Sequence, residues 1–118
     1  MKIATRNAPF AQGDVLFVPV DRLPANMKFV EAKSENGNII VTHSETGHHH
    51  IVKERPTVKM FDEAMNIFRS YLVVDDGPVE LEHLRSFDTH ESIQIPAGVW
   101  EVHRQQEMGL DGWRRAAD

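Results

Sequence analysis

The stretch "SIQIPAGVWEVH", residues 92–103, decides the fold class. Apolar and polar residues alternate on both sides of a Pro-Ala-Gly turn, which is the period-two pattern of β-strands. Trp100 and Val102 therefore share one face, which we expect to be buried. Glu101 and His103 share the opposite face. The stretch predicts two strands that each bury one side.

The same alternation recurs along most of the chain. Asn-Gly at 36–37 and Asp-Gly at 76–77 predict tight hairpin turns between such segments. Asp62–Ser70 predicts either a short helix capped by Asp62 or a bulged strand. The further strand-like segments are Gly13–Val20, Met27–Ala32, Ile39–His43, His48–Glu54 and Ser70–Leu84.

About eight strands of roughly five residues need a second layer, because a single open sheet leaves one apolar face in water. We therefore predict one mostly β domain spanning residues 1–118, built as a small barrel or a two-sheet sandwich. The alternation also predicts the residues of its core, which are Val15, Phe17, Ile40, Ile51, Leu72, Ile93, Ile95, Trp100 and Val102.

Composition excludes several kinds of function. The chain has no cysteine, so disulfides, iron–sulfur clusters and thiolate zinc sites are ruled out, and a metal must be held by His, Asp or Glu. The net charge of -5 argues against general nucleic-acid binding, which needs a basic surface. No apolar run approaches the ~20 residues that cross a bilayer, and no secretory signal opens the chain, so we expect a cytoplasmic protein.

A histidine cluster lies in "THSETGHHHIVKE", residues 42–54. On a strand, His48 and His50 point to the same side and His49 to the other. Imidazole is a common metal ligand near neutral pH, so the pair predicts a metal site completed from elsewhere in the chain. The alternative is a polar strand end whose histidines face solvent or form hydrogen bonds.

Several residues compete to complete that site. His90 is the favoured third ligand, followed by Glu54, Glu101 and His103. The alternative for His103 is a solvated strand residue. His83 alternates with apolar neighbours, which favours a hydrogen-bonded core or boundary histidine.

Two parts of the chain resemble the bipartite cupin signature. The first half, a glycine followed by His-x-His and a glutamate, is matched by "TGHHHIVKE", with His48, His50 and Glu54 at the ligand positions. The second half, Pro-x-Gly and a later histidine, is matched by "IPAGVWEVH". Glu101 stands where cupins place that histidine, and His103 comes two residues later. The resemblance implies a cupin-like double-sheet layout as the first choice of fold.

A second resemblance covers more of the chain. The run "QGDVLFVPV", "TGHHH", "HESIQIPAGVWEVHRQQE" and "WRRAAD" is similar to a family of small uncharacterised proteins from bacteria and bacteriophages. The similarity includes His48, His50 and His90. Because no reaction is attached to that family, the similarity implies relatedness more than function.

Two hypotheses follow for the function. In the first, the histidine cluster holds a divalent Zn, Ni, Fe or Cu ion with open positions, as in a metal-dependent enzyme or a small-molecule binder. In the second, the chain is a non-enzymatic accessory or interaction protein without a metal, and it binds a protein partner. Exposed strand edges also allow a homodimer.

Overall fold

The computed structural model describes residues 2–42, 49–64, 69–83 and 92–104, together with the strands at 106–109 and 112–115. These residues form strands and turns, and no helix occurs among them. The mostly β prediction is therefore confirmed. The strands are β1 (Lys2–Ile3), β2 (Phe10–Gln12), β3 (Val15–Val20), β4 (Phe29–Glu31), β5 (Asn38–Thr42), β6 (His50–Lys53), β7 (Val58–Glu63), β8 (Arg69–Val74), β9 (Val79–His83), β10 (Ile93–Ile95), β11 (Gly98–Arg104), β12 (Gln106–Gly109) and β13 (Gly112–Arg115).

Most strands belong to two facing sheets. Sheet A has five strands in the order β1-β10-β9-β6-β5, and sheet B has six in the order β2-β3-β11-β8-β7-β4. Neighbours are antiparallel except for β1 and β10. Among the described strands, β12 and β13 pair only with each other. Each large sheet has two edge strands, so the architecture is sandwich-like and not a closed barrel; the cupin-like layout stays a prediction.

The core lies between the two sheets and contains residues from both. Trp100 is fully buried, and its Nε1 donates a hydrogen bond to the Pro96 carbonyl oxygen at 3.1 Å. Phe10 stacks on Phe17 and meets Trp100 edge-on, with ring centroids 4.7 and 5.3 Å apart. The predicted facing of Trp100 and Val102 is confirmed, and so is the burial of every predicted core residue except Ile40.

Ile40 is a wrong prediction with a local cause. Ile39 and Val41 are buried and Ile40 is only half-buried, so β5 presents the other set of alternating residues to the core. The register of β5 against β6 then shifts between Ile40 and Thr42. Because of this bulge, Thr42 is buried although it directly follows the buried Val41. Strict alternation along the sequence does not predict such a shift.

The two predicted hairpin turns have different outcomes. At 36–37 both residues have positive φ, 53° for Asn36 and 79° for Gly37, and Glu35 pairs with Asn38 across a tight turn. At 76–77 the prediction of a hairpin is wrong, because β8 belongs to sheet B and β9 to sheet A. The Asp-Gly signal is local and does not specify which sheet the next strand joins.

Of the two alternatives for Asp62–Ser70, a helix that begins at Asp62 is wrong. Asp62 lies in β7 and Ser70 in β8, and the two residues are opposite each other in an antiparallel pair. Residues 65–68 lie outside the described part of the chain. Burial of Val58 and Met60 against the core favours the extended conformation of β7 over the helix. No helix in the described ranges is long and apolar enough to cross a membrane.

Candidate functional site

One end of the sandwich is polar inside. The described residues include six buried polar or charged side chains, and all six lie at this end, which we call the polar end. They are Gln12, Asp14, Thr42, His50, Ser70 and His83. The apolar core fills the space between the sheets away from this end, so the polar end is the only place where the described chain buries such groups together.

Strand pairing places two histidines beside each other at the polar end. His50 begins β6, His83 ends β9, and the two residues are opposite each other in sheet A. Both point inward, since Val52 and Leu81 two residues away belong to the core. Their rings stack with centroids 3.9 Å apart and an interplanar angle of 13°. The burial predicted for His83 is confirmed, with 2% of the residue exposed.

Gln12 on the facing sheet fixes the protonation of one nitrogen of His50. The amide Nε2 of Gln12 donates to the Leu81 carbonyl oxygen at 3.2 Å. Because that carbonyl is only an acceptor, the Gln12 Oε1 must be the atom that lies 2.7 Å from His50 Nδ1. Nδ1 therefore carries hydrogen and donates it, and in the neutral imidazole Nε2 bears the lone pair.

That lone pair faces a carboxylate. His50 Nε2 lies 3.4 Å from Asp14 Oδ1, and their side chains are 1% and 11% exposed. Nε2 forms no hydrogen bond within the described part of the chain. Two electron-rich atoms that face each other in a buried site repel, so a proton or a metal cation between them is needed to make the arrangement favourable.

Arg104 ties the two sheets together at the same end. Its Nη1 donates to Ser70 Oγ at 2.8 Å, and its Nη2 donates to the Val41 carbonyl oxygen of sheet A at 2.7 Å. The same Nη2 lies 3.8 Å from Asp62 Oδ1. The guanidinium thus supplies donors to both sheets, which fixes the spacing of the elements that hold His50.

The predicted ligands fall in different parts of the molecule. His48 and His90 lie outside the described residues. His50 is at the polar end, whereas Glu54 follows the far end of β6, where its amide donates to the Gly37 carbonyl oxygen at 2.9 Å. His49 next to His50 is half-buried.

Glu101 and His103 lie on the outer face of sheet B, opposite the core face of Trp100. Glu101 Oε2 accepts a hydrogen bond from the Tyr71 hydroxyl at 2.9 Å, and its Oε1 is bonded to His103 Nε2. Arg69 Nε lies 4.0 Å from the same Oε1. We call Tyr71, Glu101 and His103 the outer cluster. The structure does not bring it together with His50.

Burial raises the pKa of Tyr71 to about 12, and the hydrogen bond to Glu101 contributes in the same direction. Only 1% of Tyr71 is exposed, and Phe29 packs edge-on against its ring at 5.4 Å. The phenol therefore stays protonated and donates to Glu101 over the whole neutral range. The outer cluster is a closed hydrogen-bonded set.

Sequence reasoning missed Asp14 and Gln12 at the polar end. Both lie where β2 turns into β3, and β2 was not recognised as a strand. The only available signal is the Gln-Gly-Asp stretch itself, whose partner His50 is 36 residues away. In the described ranges no group of three or more His, Cys, Asp or Glu side chains is arranged to hold a metal ion.

Comparison with known proteins identifies a family. Residues 11–105 match a family described as a domain of unknown function, DUF8820. The match includes Gln12, Asp14, His50 and His83 of the polar end. Neither the curated proteins nor the solved structures give a match. Because the matched segment covers well over half of the sequence, the chain belongs to the DUF8820 family.

Proposed function

We propose that the polar end of the sandwich binds a divalent metal ion and that His50 is its central ligand. The observation that carries the proposal is the buried Nε2 of His50, which forms no hydrogen bond within the described chain while Nδ1 is held by Gln12. A histidine that binds a metal through one nitrogen usually donates the other N–H to an oxygen, which orients the ring.

His48 and His90 are the proposed additional histidine ligands. The support is where the flanking strands lie. His48 comes two residues before His50, and β9 ends at His83 and β10 resumes at Ile93 opposite Leu81, so both connections start and finish at the polar end. Imidazole ligands favour zinc, nickel, iron or copper over magnesium or calcium.

A metal held by protein ligands with open positions supplies Lewis acidity and activates bound water near neutral pH. The same open positions suit a binder of a small ligand with a donor atom. In either case this chain's own residues bind and orient the ion and exclude water from one side of it. Burial of His50 and Asp14 between the sheets supports that role.

The test uses untagged protein, elemental analysis and thermal unfolding with and without zinc. At about a hundred times the dissociation constant, zinc should stabilise the fold by ~2.7 kcal/mol, a rise in Tm of roughly 10 °C. The double variant His48→Ala and His50→Ala should lose this rise, even if its own Tm is lower. His49→Ala is the matched control and should keep it, because in an extended chain His49 and His50 are expected to point to opposite sides.

A parent protein that contains no metal and gains no stability from zinc, nickel, iron or copper contradicts the proposal. The accessory-protein hypothesis then takes its place. Equal responses from the double variant and the control contradict it as well, since the metal would then bind elsewhere.

A further inference from the structure

We propose that Asp14 supplies a carboxylate ligand to the cation bound by His50 and that Gln12 is a positioning residue for this pair. The inference rests on the proposed function and names two residues that the histidine pattern does not indicate. Three observations at the polar end support it. His50 Nε2 forms no hydrogen bond within the described chain, Gln12 fixes the tautomer of His50, and Nε2 lies 3.4 Å from Asp14 Oδ1.

The separation of the two atoms fits a tetrahedral ion. Zinc binds histidine nitrogen and carboxylate oxygen at about 2.0–2.2 Å, so two ligands at the tetrahedral angle are about 3.4 Å apart. His50 Nε2 and Asp14 Oδ1 are 3.4 Å apart. Neighbouring ligands of an octahedral ion at similar bond lengths are closer, at roughly 3 Å. The geometry therefore favours zinc-like coordination.

The tautomer explains why Nε2 is the nitrogen available to the ion. The Gln12 amide donates to the Leu81 carbonyl oxygen at 3.2 Å, and its own oxygen accepts from His50 Nδ1 at 2.7 Å. The direction of donation is therefore fixed in both hydrogen bonds. Gln12 is 3% exposed and comes from the opposite sheet, so the ring is held across the sandwich. The Gln12 amide orients the ring without adding a charge, so the charge of the site comes only from Asp14 and the ion.

A proton is the competing occupant of the gap between His50 and Asp14. It would give an imidazolium–carboxylate pair, with hydrogen on both ring nitrogens. A metal instead leaves hydrogen on Nδ1 and takes the lone pair of Nε2. The two occupants therefore differ in the nitrogen NMR signals of His50 and in the response to zinc.

The test measures the zinc dissociation constant of folded protein by competition with a chromophoric chelator. Asp14→Asn keeps the size of the side chain and removes its charge, and it should weaken zinc binding by at least about tenfold. Asp21→Asn removes a carboxylate at an exposed position and should leave the constant unchanged. Gln12→Leu should weaken binding by about 10–100-fold, as expected for loss of an orienting partner.

Gln12→Glu separates positioning from a merely structural role. Glutamate retains an oxygen acceptor for Nδ1–H but cannot donate to the Leu81 carbonyl oxygen. It should therefore lower the Tm, while zinc affinity is retained or rises, because a carboxylate that accepts from Nδ1–H makes the imidazole a stronger ligand. Affinities that follow the Tm across both Gln12 variants overturn the positioning role.

Two outcomes distinguish this inference from the proposed function. If the parent binds zinc and Asp14→Asn binds it equally well, Asp14 is not a ligand and the proposed function stands. If the parent binds none of zinc, nickel, iron and copper, both proposals are contradicted. Should Asp14→Asn fail to fold, nitrogen NMR of the parent decides: a zinc-induced shift of Nε2 with Nδ1 still protonated is expected. Hydrogen on both nitrogens and no response to zinc overturn the inference.

Discussion

The polar end and the outer cluster each contain a histidine beside a carboxylate, yet the two differ in how their hydrogen-bonding groups are satisfied. In the outer cluster, Glu101 accepts hydrogen bonds from Tyr71 and from His103, so both carboxylate oxygens have a donor. At the polar end, Asp14 faces the lone-pair nitrogen of His50 at 3.4 Å. The hydrogen bonds of the first arrangement are complete, whereas the second requires a proton or a metal cation between His50 and Asp14.

This difference separates a structural cluster from a candidate binding site better than residue type does. Both sites contain a residue that the sequence proposes as a metal ligand. In the outer cluster the side chains of Glu101 and His103 are 20% and 31% exposed, whereas His50 is 1% exposed. A polar atom without a hydrogen bond costs free energy only where water is excluded. The missing hydrogen bond of the buried His50 Nε2 therefore indicates a bound ligand, whereas it would carry no such meaning on an exposed face.

The largest expected change in the free energy of unfolding comes from Trp100, and it tests whether the core and the outer cluster lie on opposite faces of sheet B. Trp100 lies in the core between neighbours that point outward, so Trp100→Ala should reduce the free energy of unfolding by roughly 3–5 kcal/mol. Val99→Ala, one residue earlier and on the outer face, should cost much less. Chemical denaturation measures both. A loss below ~1 kcal/mol for Trp100→Ala means that the faces are assigned wrongly.

The second prediction compares the histidines of the two sites. His50→Ala should remove the stabilisation by zinc, worth ~2.7 kcal/mol at about a hundred times the dissociation constant. His103→Ala should retain it, because His103 already bonds to Glu101 on the outer face. Thermal unfolding with and without zinc measures both differences. Loss of the zinc response in His103→Ala alone would reverse the roles assigned to the two sites.

The third prediction concerns alkaline pH. The folded pKa of Tyr71 is about 12, above the ordinary value of 10, so the stabilising contribution is complete below pH 10 and is lost as pH rises towards 12. Between these values the folded state binds the extra proton, so unfolding should become easier by roughly 1–3 kcal/mol.

Tyr71 is the single tyrosine of the chain, so absorbance of the phenolate reports it directly. Unfolded protein should titrate near pH 10 and folded protein near pH 12. Glu101→Gln should give an intermediate value, because burial remains while the negative charge is lost. A folded midpoint near 10 means that Tyr71 is not buried and bonded as described.

The smallest effect is the loss of one hydrogen bond in the outer cluster. Tyr71→Phe keeps the ring against Phe29 and removes the donor to Glu101, which should cost about 1 kcal/mol. Zinc affinity should not change, and urea denaturation with a parallel zinc titration checks both statements. A drop in affinity means that the outer cluster and the polar end are coupled.

Much of the fold follows from the sequence because alternation is a local signal. Trp100, Val102 and Phe17 are assigned to the core by spacing alone, and the structure agrees. Ile40 escapes this reasoning because a bulge changes the register of β5. The turn at 76–77 escapes it because a dipeptide does not specify that β8 and β9 join different sheets.

The candidate site is harder to predict from the sequence because its residues are far apart in the chain and meet only in the folded structure. His50 is indicated by the His-x-His pattern, but Asp14 and Gln12 reach it from the other sheet. Glu101 and His103 share a strand face, as predicted, and that face points away from the core. Only the strand order reveals which of these residues meet.

Anomalous diffraction from zinc-loaded crystals locates the ion without mutating the site, so it is the most direct test of metal binding by His50. We expect a zinc peak between the sheets, about 2.0–2.2 Å from His50 Nε2 and from a carboxylate oxygen of Asp14. A peak at Glu101 and His103, or none within bonding distance of His50, would contradict it.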